Sequence, residues 1–184
     1  MELVRPAEEH LASYRDALVR GWAPDTKRPT SGAEELARIE TDPAAFLALQ
    51  DDREGKAPPI TLPDGSTAPR LPGVRLWMWD GAFCGSIGFR WQPGTTALPP
   101  YCLGHIGYGV VPWKRRLGYA TRALGLMLPF AREFGLPFVE ITTDASNTAS
   151  QRVIARNGGV LVEAFTKPAA HGGGDGLRFR IHFS

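Results

Sequence analysis

The stretch from Val110 to Thr121 runs an apolar strand into three basic residues and a glycine turn, followed by a helix-forming sequence. The first N–H groups of a helix have no acceptor within the helix, and the helix dipole places positive charge beside them. Lys114, Arg115 and Arg116 add full charges at the same point. The sequence therefore predicts an anion-binding loop of a kind that can hold a diphosphate.

Two motifs, in order along the chain, resemble those of the GNAT acetyltransferases. The spacing Arg115-x-x-Gly118-x-Ala120 resembles the family's acyl-CoA diphosphate loop, and Asn147-Thr-Ala-Ser150, twenty-nine residues after Gly118, resembles the start of its fourth helix. The resemblance implies acetyl-CoA as a co-substrate. It assigns cofactor contacts to Val110, Val111, Arg115, Arg116, Leu117, Gly118, Tyr119, Ala120, Thr121, Asn147 and Ser150. Helix capping is an alternative explanation for Asn147, since Asn is a preferred N-cap residue.

Hydrophobic periodicity predicts, in chain order, one strand, two helices, three strands, a helix, a strand, a helix and two strands. The last of the three consecutive strands is predicted over 103–111, and the long helix that follows it over 118–134, with Pro129 inside the helix. Residues 50–73 carry five prolines and read as a long surface loop. The resemblance implies a single α+β domain over 1–184, with a mostly antiparallel twisted sheet of about seven strands and about four helices.

Two local signals concern the helices near the N-terminus. Ser31, followed three residues later by Glu34, predicts a capping box, and Pro43 predicts a break in the helical pattern.

Composition narrows the class of partner. The net charge of +2 is too small to indicate nucleic-acid binding, and no apolar run is long enough to span a membrane. The two cysteines, Cys84 and Cys102, belong to no metal-binding pattern, so we expect buried free thiols and no metal. We expect a cytoplasmic protein, and family habit favours a homodimer.

Alternation along the strand over 103–111 places His105, Gly107, Gly109 and Val111 on one face. Two glycines on one face predict a groove, since glycine in a strand often marks a bulge or a close ligand. The resemblance implies that a bulge here splays two strands, that the pantetheine arm lies between them, and that backbone groups from Tyr108 to Val111 polarise the thioester carbonyl.

Proton transfer has several candidate residues. His105 lies on the predicted groove face, and an unperturbed histidine titrates at about 6.5, close to working pH. Glu140 and Asp144 on the next strand are alternatives. Many GNAT enzymes carry a tyrosine where this chain has Ile154, which leaves Tyr108, Tyr119, a water molecule or an unassisted thiolate for the leaving group.

The sequence therefore favours an acetyl-CoA-dependent N-acetyltransferase acting on a primary amine of a small molecule or protein. The alternative is a non-catalytic acyl-CoA sensor on the same fold. A P-loop kinase lacks its GxxxxGK[ST] motif here, and the glycines at 104, 107 and 109 lie within a strand, in the wrong order for a dinucleotide fold. No motif identifies the acceptor, although we expect Trp22 to line its pocket.

Overall fold

A computed structural model describes residues 1–26, 28–62 and 65–183. Its elements in chain order are β1 (Glu2–Val4), α1 (Glu8–Val19), α2 (Ser31–Thr41), α3 (Pro43–Ala48), β2 (Asp51–Asp52), β3 (Ile60–Thr61), β4 (Thr67–Ala68), β5 (Gly73–Trp79), β6 (Phe83–Arg90), β7 (Ile106–Val110), α4 (Tyr119–Arg132), β8 (Phe138–Asp144), α5 (Thr148–Arg156), β9 (Val160–Thr166) and β10 (Asp175–His182).

The main strands form two antiparallel sheets. β1, β5, β6 and β7 are neighbours in that order, with β2 also paired to β5, and β8, β10 and β9 form the second sheet. The seven main strands and the mixed α/β class confirm the predicted fold. The single predicted sheet, however, is split into two sheets at the junction of β7 and β8. These two strands are neighbours, but no ladder of backbone hydrogen bonds joins them.

Opposite faces of the first sheet carry separate apolar clusters. On β5, Val74 and Met78 pack toward α4, whereas Trp77 packs toward α1 and α2, because alternate side chains of a strand point to opposite faces. Tyr14 of α1 stacks on Trp77 with ring centroids 4.3 Å apart. The first sheet is therefore held between two helical layers, and its far strand β7 faces the second sheet.

Several sequence predictions change in detail. Pro43 does break the helical pattern and is the first residue of α3. Asp42 caps this new helix, since its side chain accepts a hydrogen bond from Ala45 N–H. The capping box at Ser31 was wrong: the helix begins at Ser31 itself, whose hydroxyl contacts Asp25, and Glu34 accepts from the Thr30 hydroxyl instead. α3 is therefore a separate element, which gives five α-helices among the described residues.

The region 50–73 is less irregular than predicted. β2 extends the first sheet beside β5, and β3 pairs with β4 as a small separate ribbon, while Pro63 and Asp64 lie outside the described residues. Cys84 and Cys102 are buried free thiols, as expected. Within the described ranges, no helix has the length and apolarity needed to cross a bilayer.

Candidate active site

β7 and β8 touch at one end and separate toward the other. At the touching end, His105 N–H donates to the carbonyl of Glu140 at 2.7 Å. An ideal Cβ placed on Gly104 would lie 3.1 Å from the same carbonyl, so only glycine lets the chains approach this closely. Among the described residues no backbone hydrogen bond joins Ile106–Val110 to β8. The result is a wedge-shaped gap whose closed end lies at residues 103–105.

The edge of β7 along this gap presents backbone groups rather than side chains. Val111 N–H donates to the carbonyl of Cys84 on the β6 side at 3.0 Å. Because alternate residues of a strand direct their backbone groups to opposite sides, Tyr108 and Val110 direct theirs toward β8. The free groups on this edge therefore include those of Tyr108 and the N–H of Val110, while the Val110 carbonyl accepts from Arg115 Nε. Val111, predicted as a cofactor contact, has its N–H already bonded and a fully buried side chain.

The groove predicted from the glycine face is filled. A Cβ on Gly107 would meet the guanidinium of Arg90 at 2.9 Å, and one on Gly109 would lie 4.0 Å from the Trp22 ring. The β6–β7 register is also continuous, so the predicted bulge is absent there. The irregularity of this sheet lies between β5 and β6, where Met78 and Trp79 pair with Gly85 and Phe83 and Cys84 is left over. The opening lies at the strand edge and not on its face, because the second sheet diverges from β7.

His105 is part of the closed end of the gap. Its side chain is 1% exposed, and its Nδ1 accepts a hydrogen bond from Glu140 N–H at 3.0 Å. This bond leaves the ring proton on the buried Nε2. Burial lowers the pKa of His105, although the Glu140 carboxylate opposes the shift. The residue predicted as a base on an open groove therefore lies in a closed junction as a neutral ring.

Glu140 is bonded to two arginines. Arg180 and Arg178 donate to its two carboxylate oxygens at 2.7 and 2.9 Å. Burial works to raise the pKa of Glu140, but the hydrogen bonds from both arginines outweigh it and hold the pKa below its ordinary value. Arg178 also donates to Leu103 O at 3.2 Å and pairs with Glu163. Glu140 therefore fastens the closed end as a permanent anion.

Asp144, the other predicted carboxylate, ends β8 at the open side. One of its oxygens bonds the ammonium of Lys167, a residue that is only 9% exposed. A carboxylate paired with a nearly buried cation is favoured in its charged form. Neither carboxylate proposed as a base is therefore available without breaking an ion pair.

The open end of the gap is bridged by two hydroxyls. Tyr108 Oη and Ser150 Oγ lie 2.9 Å apart, which joins β7 to the first turn of α5. Burial raises the pKa of Tyr108 to about 12, against a smaller lowering by the Ser150 hydrogen bond. Asn147 caps α5, with its side chain accepting Ser150 N–H at 3.0 Å. Ile154 is fully buried in the apolar core and presents no group to the gap.

The anion-binding loop lies directly after β7. Arg116 and Gly118 have φ of 65° and 78°, and this left-handed backbone turns the chain sharply into α4. Within the described part of the chain, the N–H groups of Arg116 to Thr121 have no acceptor. The head groups of Arg115 and Arg116 have no carboxylate partner among these residues either, although Arg115 Nε contacts Val110 O at 3.3 Å. These free donors fit a diphosphate.

Lys114 and Tyr119 differ from their neighbours because both bond Asp80. The Lys114 ammonium and the Tyr119 hydroxyl donate to the same oxygen of Asp80, at 2.8 and 2.6 Å. The Tyr119 hydroxyl is therefore bonded to Asp80 and is not placed to protonate the leaving group, which was one of the alternatives from the sequence. Sequence analysis assigned no site role to Asp80, Arg178 or Lys167, because each is paired with a residue far from it in the chain.

Comparison with known proteins gives one family and a consistent fold. The model of the acetyltransferase (GNAT) domain matches residues 2–160. The Microcin C7 self-immunity acetyltransferase MccE, solved with acetyl-CoA and AMP, is 13% identical at a TM-score of 0.62, over 98% of this chain and 91% of that one. At this identity the likeness shows the fold alone. No curated protein matches the chain.

Two further solved structures have the same degree of similarity. The ribosomal L7/L12 α-N-protein acetyltransferase RimL, in complex with coenzyme A, is 16% identical at a TM-score of 0.62, over 98% of this chain and 93% of that one. The Salmonella typhimurium acetyltransferase that modifies the N-terminal serine of L7/L12 is 17% identical at a TM-score of 0.62, over 99% of this chain and 94% of that one.

Proposed function

Since the chain belongs to the GNAT acetyltransferase family, we propose that it is an acetyl-CoA-dependent N-acetyltransferase that transfers the acetyl group directly to a primary amine. The observation that carries the proposal is the continuity of two features. The free edge of β7 is followed, after the single 3₁₀ turn Pro112–Lys114, by the free N–H groups of residues 116–121. One elongated ligand with amides at one end and a diphosphate at the other can bind both.

Each part of acetyl-CoA has a matching feature. The diphosphate binds the loop with Arg115 and Arg116 beside it, and the amides of the pantetheine arm pair with the edge of β7 as a further strand would. The N–H of Val110 or Tyr108 then faces the thioester carbonyl. A fixed N–H directed at the developing oxyanion stabilises the transition state by about 3 kcal/mol.

Transfer needs no covalent enzyme intermediate. The neutral amine attacks the carbonyl carbon, so that the N–C bond forms, the C–S bond breaks and the ammonium proton passes to water. The departing thiolate takes a proton from the Tyr108 hydroxyl, which is restored through Ser150. This role suits Tyr108 because burial keeps its hydroxyl protonated, with a pKa of about 12.

The acceptor class remains a choice between small amines and protein α-amino groups. Two solved structures with this fold, RimL and the Salmonella acetyltransferase, act on the N-terminus of ribosomal protein L7/L12. Peptides with a free α-amino group therefore belong in the first panel, beside polyamines and amino acids. Trp22 is 5% exposed and packs edge-on to Phe83, which makes it a rigid wall beside Gly109.

The test combines ligand-dependent melting with release of free thiol. Acetyl-CoA at about 100 times its dissociation constant stabilises the fold by about 2.7 kcal/mol. Gly118→Asp places a carboxylate in the diphosphate loop and should abolish the rise in melting temperature. Gly135→Asp is the matched control, because Gly135 has φ of 76° against 78° for Gly118 and open space around both.

A wild type that shows no rise in melting temperature at millimolar acetyl-CoA contradicts the proposal. The burial of Ile154, which leaves no side-chain acid at the position where many GNAT enzymes have a tyrosine, favours the second candidate, a non-catalytic acyl-CoA sensor. A rise in melting temperature with no amine-dependent thiol release across the panel supports that candidate instead.

A further inference from the structure

The loop that receives the diphosphate is fastened at both ends by one oxygen atom. Asp80 follows β5 in the tight turn to β6, and its Oδ2 accepts from Lys114 Nζ at 2.8 Å and from Tyr119 Oη at 2.6 Å. Lys114 immediately precedes the four loop residues 115–118, and Tyr119 immediately follows them. The side chain of Asp80 is 15% exposed and that of Lys114 29%, although the contact itself lies at the protein surface.

The loop needs such fastening because its backbone is strained. Arg116 is the one non-glycine residue with positive φ within the described ranges, and such a conformation costs about 1 kcal/mol or more. None of the N–H groups from Arg116 to Thr121 is held by a protein acceptor there. A loop with strain and few internal bonds keeps one shape only if its surroundings fix it.

The contact also decides what Lys114 does. Its charge is neutralised by Asp80, whereas Arg115 and Arg116 have no carboxylate partner among the described residues. Lys114 therefore holds the loop in place, and the two arginines supply charge to the ligand. The three consecutive basic residues have two different tasks.

We propose that Asp80 is a positioning residue that preorganises the diphosphate loop by joining Lys114 and Tyr119 across its base. The inference rests on the proposed function, since it concerns the same cofactor. Preorganisation of this kind lowers the dissociation constant by removing the ordering cost that binding otherwise incurs. It acts on cofactor affinity and leaves the chemistry of transfer at saturation unchanged.

The test measures the dissociation constant of CoA by titration calorimetry, together with KM for acetyl-CoA and kcat. Asp80→Ala should raise the dissociation constant and KM about tenfold and change kcat less than about twofold. Asp80→Asn keeps one acceptor oxygen and should recover part of the affinity. Tyr119→Phe removes only the hydroxyl that donates to Asp80 and should give a smaller loss of CoA affinity than Asp80→Ala.

Glu34→Ala is the matched control. Glu34 also accepts from one cation and one hydroxyl, Arg28 at 2.8 Å and Thr30 at 2.9 Å, but on α2 and away from the loop. The Glu34→Ala variant should bind CoA with the same dissociation constant as the wild type.

Two results overturn the inference. Asp80→Ala with a lower melting temperature but unchanged CoA affinity assigns Asp80 to stability alone. Tighter CoA binding by Asp80→Ala assigns Lys114 to the diphosphate, with Asp80 withholding it. A wild type that does not bind CoA contradicts the proposed function itself, and the inference with it, so the two failures are distinguishable.

Discussion

The two ends of the gap between β7 and β8 belong to the same pair of strands but differ in every interaction. At the closed end, His105 and Glu140 exchange two hydrogen bonds, and Arg178 and Arg180 hold the Glu140 carboxylate. At the open end, the strands share no backbone bond within the described residues, and a single hydroxyl pair, Tyr108 with Ser150, crosses the space.

The difference teaches how a sheet can be opened for a ligand without losing its alignment. Polar contacts concentrated at residues 103–105 fix the angle between the two sheets, so the backbone groups of Tyr108 and the N–H of Val110 find no partner among the described residues. A strand edge left free in this way can accept an extended chain. The residues of the closed end therefore determine geometry, and in the proposed function those of the open end contact acetyl-CoA.

The largest effect should come from breaking the support of the open end. An ideal Cβ on Gly85 would lie 2.2 Å from Gly109 O, and Gly85 has φ of 151°. Gly85→Ala should push β7 away from β6, lower the free energy of unfolding by about 3 kcal/mol or more and weaken CoA binding. Denaturant unfolding and calorimetry measure both.

Gly88→Ala, on the same strand, is the control for Gly85→Ala. The nearest atom to its added Cβ would be 3.8 Å away, which is ordinary contact. Equal losses of stability in the two variants would contradict the assignment of Gly85 to the close approach of β6 and β7.

The next effect concerns chemistry at the open end. Tyr108→Phe removes the hydroxyl proposed to protonate the thiolate and should lower kcat about 100-fold, with CoA affinity retained. Tyr101→Phe is the control, because its hydroxyl bonds only Pro69 O in an exposed loop. Unchanged kcat in Tyr108→Phe would assign the leaving group to water or to unassisted departure.

A smaller effect, on stability rather than rate, is expected from the closed end. His105→Leu leaves Glu140 N–H without its buried acceptor, which costs about 1–3 kcal/mol, while kcat at saturation stays near the wild-type value. A large fall in kcat with unchanged stability would restore His105 as the base.

The pH dependence sharpens the same point. Because burial lowers the pKa of His105, the unfolded chain takes up a proton more readily than the folded protein. The stability contributed by the neutral ring is present above about pH 6.5 and falls as the pH drops below that value. Thermal unfolding at pH 7.5 and 5.5 should therefore show a smaller loss of stability at the lower pH in His105→Leu than in the wild type.

The smallest effect separates the two carboxylates bonded to Arg178. Glu163 has a side chain that is 50% exposed, so Glu163→Gln should change the free energy of unfolding by about 0.5 kcal/mol or less. Glu140, at 14% exposed, also pairs with Arg180. Glu140→Gln should cost more than Glu163→Gln in the same unfolding experiment, and the reverse order would contradict its role at the closed end.

The sequence predicted the local parts of this protein well. The loop before α4, the Asn147 cap, the break at Pro43 and the strand and helix order all depend on residues within a few positions of each other, whose preferences act through near neighbours. The capping box at Ser31 failed because a contact with Asp25 competes for the same hydroxyl. The groove at Gly107 and Gly109 failed because Arg90 and Trp22 fill it.

By itself, then, the sequence determined the fold class, the seven main strands and the sharp loop before α4, since periodicity and turn chemistry depend on adjacent residues. Only the tertiary structure decided that His105 closes one end of the gap between β7 and β8 and that Asp80 holds Lys114. Each of these depends on a contact between residues at least 34 positions apart in the chain. Such a contact forms only when the whole fold brings its two members together.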